Sequence, residues 1–241
     1  MCGCGAVEHG TCAKGGDGVR RVATCYVLLI AGRPTESTRM SSLAHRALHD
    51  LRARYLALAS YEDVGTVVLE GKEILSFHTE FHRASRRLTF SAREGDRMVC
   101  DLDSVDLRVT RRQVADALTR CVPDDGELDM VLAALTGVTW GAAHTVPRLL
   151  FGRALVGNCV ADAKAPTLLG RGLFDGEECH VVDLGPDWRG SIVAIGVESS
   201  ALRRMACMTV ETDTSTSHTA ESLDDAWLAR SGMVIRYSPR V

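Results

Sequence analysis

The stretch that most constrains the fold runs from Ser60 to Phe90, SYEDVGTVVLEGKEILSFHTEFHRASRRLTF. Thr66, Val68 and Glu70 alternate with Val67 and Leu69. From Ile74 to Phe81, Leu75, Phe77, Thr79 and Phe81 fall on one side, and Ser76, His78 and Glu80 on the other. A period of two over successive runs means antiparallel strands with one buried and one wet face. Gly71-Lys72 between the runs suits a hairpin turn. Arg83, Arg86 and Arg87 follow at once, beside a strand that should cover an apolar interior. A cation so placed needs a partner or lines a cavity. No catalytic motif interrupts the stretch.

Around this sheet the rest of the chain supplies helices and more strands. Ser41-Ser42 are placed to cap a helix reaching Ala59, with Leu43, Ala47, Leu51 and Tyr55 on one stripe. His45 and His49 stand i, i+4 apart on that helix but lack the Glu of a zinc-protease pattern, and read as a solvated pair. Strands are expected over Leu88–Ala92 and Arg97–Leu102, turning at Glu94-Gly95-Asp96. Asp101, Asp103 and Asp106 lack the glycine and distal glutamate of a calcium loop and read as an exposed strand edge. Helices are expected over Arg111–Cys121 with Thr110 as cap, over Gly126–Thr136 capped by Asp124 or Asp125, and in a short piece opened by Thr145 and Pro147. Strands return at Leu168–Asp175, Glu178–Leu184, Ser191–Glu198, Leu202–Thr212 and Met233–Tyr237. Helix, strands, helices, strands is the order of an α+β fold, with helices against one face of a curved antiparallel sheet.

Composition narrows the function class. With 46% hydrophobic and 24% charged residues the chain is an ordinary globule. Its formal charge of -3 argues neither for a nucleic-acid partner, and none is expected, nor for strong attraction to anionic membranes. The basic residues are almost all arginine, as a GC-rich genome would produce. Nine cysteines cannot all pair within one chain. Cys100, Cys159, Cys179 and Cys207 lie in apolar or strand-like settings, although a Cys159–Cys179 disulfide is open in an oxidising compartment.

Residues 1–40 read as a disordered leader, and 41–241 as one domain. Cys2, Cys4, His9 and Cys12 provide four metal-capable side chains, yet the second half of a zinc module is missing. Arg20-Arg21 before the apolar run Val22 to Gly32 resemble the start of an export signal, too short to span a membrane.

SYEDVGTVV, FHTEFHRASRRLTF, LTGVTWGAAHTVPRLL, LFDGEECHVVDL and VIRYSPRV, in that order, resemble the LolA/LolB-like superfamily of outer-membrane lipoprotein carriers and related envelope proteins. The resemblance spans Leu43 to Val241. It implies a curved, unclosed antiparallel β-barrel with helices covering its concave face, and a hydrophobic cavity that holds a lipid or lipoprotein acyl chain. Leu75, Phe77, Phe81, Phe90, Trp140 and Leu149 are then the expected lining. Arg83 matches the carriers' arginine that bonds the helical lid, and His144 stands in that lid. Ala84 departs from the family's proline. The resemblance implies no catalytic residue, no metal and no cofactor. It also implies a periplasmic or cell-envelope location, a membrane-bound donor or acceptor protein as partner, and a monomer.

Two other classes follow from the residues. A hydrolytic or metal site would draw on His144, Asp175, Glu177, Glu178 and His180, although Glu178 and His180 share a strand face from which Cys179 points away. A structural or protein-interaction module of the envelope would pair through a sheet edge.

Overall fold

The computed structural model describes residues 36–119, 122, 126–208, 223–230 and 232–240. The leader cysteines, the Val22–Gly32 run and the proposed caps Asp124 and Asp125 lie outside them.

Helix α1 (Glu36–Ala57) opens the described chain, starting before the Ser41-Ser42 pair. Its buried residues, Ala44, Ala47, Leu48, Leu51 and Tyr55, repeat at three and four, so a single apolar stripe faces the sheet. Five strands follow as a meander: β1 (Ser60–Leu69), β2 (Lys72–His82), β3 (Arg87–Glu94), β4 (Arg97–Val105) and β5 (Arg108–Val114). Two helices, α2 (Leu128–Thr136) and α3 (Ala142–Phe151), cross to a second meander, β6 (Thr167–Phe174), β7 (Glu177–Asp183), β8 (Ile192–Gly196) and β9 (Leu202–Met208). Short α4 (Asp225–Ala229) precedes β10 (Gly232–Arg240). All ten strands form one antiparallel sheet in the order β5-β4-β3-β2-β1-β10-β9-β8-β7-β6, with β5 and β6 at open ends. The expected curved, unclosed half-barrel of the α+β class is therefore what the chain forms.

The turns explain the register. Glu70-Gly71 and Asp175-Gly176 both adopt paired positive φ, the conformation whose twist matches flanking strands in two-residue hairpins. The first turn thus sits one residue earlier than Gly71-Lys72. In β2, Leu75, Phe77, Thr79 and Phe81 all point into the core, as their alternation requires.

Several expected elements differ. Arg111–Val114 belong to strand β5, and among the described residues of the helix expected up to Cys121 only Asp116–Leu118 are helical, as a 3-10 turn. Cross-strand pairing wins there: the Arg111 guanidinium meets the Asp101 carboxylate of β4 at 3.1 Å. Asp101 and Asp103 consequently lie on an inner strand and not at an edge. Asp103 binds Arg87 at 2.7 Å, and Asp106 binds Arg86 at 2.7 Å. Helix α3 begins at Ala142, so Pro147 lies inside it rather than at its start.

The sheet carries two cores. The larger fills the concave side beneath α1, α2 and α3. A smaller one, including Phe174, Cys179, Ile192 and Ala194, lies on the other face under Leu223 and Leu228. Every residue of β8 is accordingly buried, which the expected single wet face did not foresee. Cys159 belongs to the first core and Cys179 to the second, and both are free, so the disulfide between them is not formed.

Candidate functional site: an apolar cavity at the hairpin end

Where the β1–β2 and β3–β4 hairpins turn, the helical cover stands away from the sheet and leaves a cavity of about 370 Å³. Small-molecule sites span roughly 300–1,000 Å³. Leu69, Ile74, Leu75 and Val99 form its sheet side, and Ala115, Ala117 and Leu118 come from the chain after β5. Val138 and Trp140, between α2 and α3, close it from the helical side, and Glu94 and Arg97 supply polar groups.

Two β-bulges shape this wall. Val67 pairs with Leu75 but Val68 pairs with Glu73, which makes Ile74 an extra residue. Ala92 pairs with Cys100 but Arg93 with Met98, which leaves Val99 extra. A bulge turns its surplus side chain out of the strict alternation. Both surplus residues, Ile74 and Val99, line the cavity.

Trp140 is held at φ +56, a left-handed conformation that is strained for a bulky side chain, and Gly141 follows at φ +93. The surrounding turn fixes this geometry. The Gly141 amide donates to the Thr136 carbonyl at 2.9 Å, and the Thr139 hydroxyl to the Leu135 carbonyl at 2.9 Å. Trp140 remains 43% exposed, a large apolar surface at a cavity.

Of the residues expected from the sequence, Leu75 and Trp140 line this cavity. Phe77, Phe81, Phe90 and Leu149 lie in the packed core beyond it. Phe77 stacks on Phe90 with ring centroids 6.2 Å apart and meets Tyr237 edge-on at 5.7 Å, while Phe81 meets Phe151 at 5.1 Å. Gly65 makes room for this cluster, because a Cβ there would fall 2.2 Å from the Phe77 ring. Ile74, Val99, Leu118 and Val138 escape sequence reasoning. The adjacent apolar pairs Ile74-Leu75 and Met98-Val99, which break alternation, are the one signal that marks the bulges.

Arg83 stands at the other end of α3. Its Nε donates to the Leu58 carbonyl at 2.6 Å, and its Nη2 to the carbonyls of Tyr55 at 2.8 Å and Leu150 at 3.2 Å. The guanidinium also lies over the Phe81 ring, 5.0 Å from its centroid. One side chain thus ties the last turn of α1 to the end of α3. His144, near the start of α3, has its Nε2 3.4 Å from the Val156 carbonyl, and burial pushes its pKa down. The two residues serve opposite ends of the helix and are not brought together.

The three carboxylates of the hydrolytic alternative are taken up in separate ion pairs, away from His144 at the start of α3. Asp175 binds Arg204 at 2.7 Å, Glu177 binds Arg203 at 2.6 Å, and Glu178 binds Arg171 at 2.9 Å. Among the described residues, no group of three or more His, Cys, Asp or Glu is placed to hold a metal ion.

No family model and no curated protein matches the sequence. Solved structures do. The lipoprotein LppX of Mycobacterium tuberculosis matches with a TM-score of 0.42 and 8% identity, over 83% of this chain and 94% of its own. A chain of the Pseudomonas aeruginosa MucA/MucB complex matches at 0.45 and 10%, over 82% of this chain and 57% of its own. A LolA superfamily protein from Nitrosomonas europaea matches at 0.30 and 10%, over 82% and 91%. One of these structures bears the name of the LolA superfamily, which the sequence motifs quoted above resemble.

Proposed function

We propose that the protein binds the hydrocarbon chain of a lipid or lipoprotein, without catalysis, and carries it within the cell envelope. The observation that supports this most is the apolar cavity of about 370 Å³, walled by two bulge residues and flanked by the strained, half-exposed Trp140. Each methylene buried contributes about 0.8 kcal/mol, so a chain needs no specific polar anchor to be held. The export-like segment from Arg20 to Gly32 favours an envelope location. A monomeric domain over 41–241 that exchanges cargo with a membrane-bound donor or acceptor completes the reading. The Arg83 link between α1 and α3 is proposed to restrain the helical cover against opening, with His144 steadying the start of α3.

A dibrominated stearate tests the cavity, because bromine quenches indole fluorescence only at close range. Saturable quenching of the indole emission is expected, and is expected to be lost in Trp140→Phe, which keeps Trp188 and Trp227. Ile74→Glu is expected to weaken it at least tenfold by placing a carboxylate in the apolar wall. Quenching that is absent, or equal in the Ile74→Glu variant, overturns the assignment. Mass spectrometry of an organic extract of the gently purified protein then identifies the natural cargo.

A further inference from the structure

The middle of the sheet holds a carboxylate for which packing gives no account. Asp63 lies on the inward face of β1 and is fully buried. Its Oδ1 accepts a hydrogen bond from the Ser238 amide at 2.8 Å, while its Oδ2 has no partner. The buried hydroxyls of Tyr61, Thr79 and Tyr237 lack partners as well. The register gathers them: Thr79 stands opposite Asp63 on β2, Tyr61 is two residues away on β1, and Tyr237 faces Gly65 from β10. Helix α1 closes the recess. The Tyr55 ring packs 5.3 Å from that of Tyr61, and the Tyr55 hydroxyl accepts from the Leu202 amide of β9 at 3.3 Å.

Buried polar groups are nearly always paired, so four orphans in one recess call for an explanation. An ionised carboxylate there carries a charge away from water that its neighbours offset only in part. A protonated one carries none, and gains an O–H that neighbouring hydroxyl oxygens accept.

We propose that Asp63 is a proton-operated latch on the helical cover: its protonated carboxyl holds α1 closed on the sheet, and loss of the proton loosens that contact. The latch concerns the cover and does not depend on what the cavity binds. Burial raises the Asp63 pKa to about 6, against an ordinary 3.8 that returns once water enters the recess. The closed form therefore holds the proton more tightly than the open one. Closure is strongest below about pH 4, weakens as pH rises towards about 6, and changes no further above that.

The neighbouring groups do not blur this window. Burial lifts the Tyr55 hydroxyl to about 12, and raises those of Tyr61 and Tyr237 well above their usual value, so all three stay neutral. The Ser238 amide, the neighbouring Tyr61 hydroxyl, His78 on β2 and Arg203 on β9 favour the charged form of Asp63 but are outweighed by its burial. His144 and His180, both held down by burial, act with the opposite sign, since opening lets them take up protons as pH falls.

Hydrogen exchange of the α1 amides from Leu51 to Ala57, corrected for intrinsic rates, reads the latch in the full chain. Between pH 4 and pH 7 the opening constant is expected to rise up to roughly 100-fold, at tenfold per pKa unit. In Asp63→Asn, which keeps the acceptor for Ser238, this rise is expected to vanish, leaving only the opposite slope of the histidines. Protection that is constant or grows with pH in the wild type, or an Asp63→Asn profile parallel to it, overturns the proposal. Should Asp63→Asn fail to fold, the wild-type direction decides alone, because the histidines predict the reverse.

Discussion

Replacing Arg83 by leucine is expected to destabilise the protein by about 2–4 kcal/mol, because hydrogen bonds to a charged group contribute roughly 1.5–3 kcal/mol each when partly shielded. The three carbonyls it leaves behind, those of Tyr55, Leu58 and Leu150, belong to helix ends that have no other turn to continue into. A cation at the end of α1 also complements the negative end of the helix dipole. Burial lowers the Arg83 pKa, yet the group stays charged across the accessible range. Urea unfolding measures the loss, and hydrogen exchange locates it at the ends of α1 and α3. Arg83→Lys is expected to recover less than half, since one ammonium does not span three acceptors in the fork geometry. If Arg83→Leu leaves both stability and the exchange of the two helix ends unchanged, the tie between the helices has no energetic weight. If only stability falls and ligand affinity does not move, the arginine supports the fold and has no part in governing access.

The second large effect belongs to the outer core. Gly172→Ala is expected to cost about 2–4 kcal/mol and to lower the melting temperature by roughly 5–15 °C. A Cβ at Gly172 would meet the Leu223 carbonyl oxygen at 1.8 Å and the Phe174 ring at 2.8 Å. The first is backbone, bridged in parallel to Gly172, so rotation of a side chain gives no relief. Leu223 must withdraw, and Leu228 and α4 are pulled with it from the sheet. Arg204 would lose an anchor too: its buried guanidinium bridges Asp175 and Asp225 and lies 5.8 Å over Phe174. Trp227, packed against the same core, is expected to shift its emission to longer wavelength. A Gly172→Ala protein with unaltered melting and emission would mean that this cover contributes little.

How far the sequence disclosed these features depends on which contacts wrote them. Leu75, Phe77, Thr79 and Phe81 alternate because one face is dry, and that pattern is local. Asp175-Gly176 is likewise a local turn. Arg111–Val114 misled because β5 is an outermost strand whose alternation is broken by the extra residue Thr110. Its Arg111 is placed by the Asp101 carboxylate on β4, and the spacing of Val114, Ala117 and Leu118 imitates a helix. The outer core escaped for a different reason. Nothing within β8 states that Leu223 and Leu228 return to cover its far side. The cavity was half legible: the resemblance led to Leu75 and Trp140, but Ile74 and Val99 enter through bulges, which depend on the partner strand. Asp63 carries no signal of its own in the sequence and stands out only with its pairing partners on β2 and β10.

The strand order has a consequence for how the molecule comes into being. β1 to β5 and β6 to β9 are each zigzags of near neighbours, able to assemble from local encounters. They are joined in the sheet only through β10, where Glu62 faces Arg240 across 178 residues of sequence. Such distant pairings are slow to find. Until that keystone is seated, β1 and β9 each expose a bare edge that strands of other molecules can usurp. Quality control in the cell should therefore weigh most heavily on the interval between the making of the two zigzags and their union.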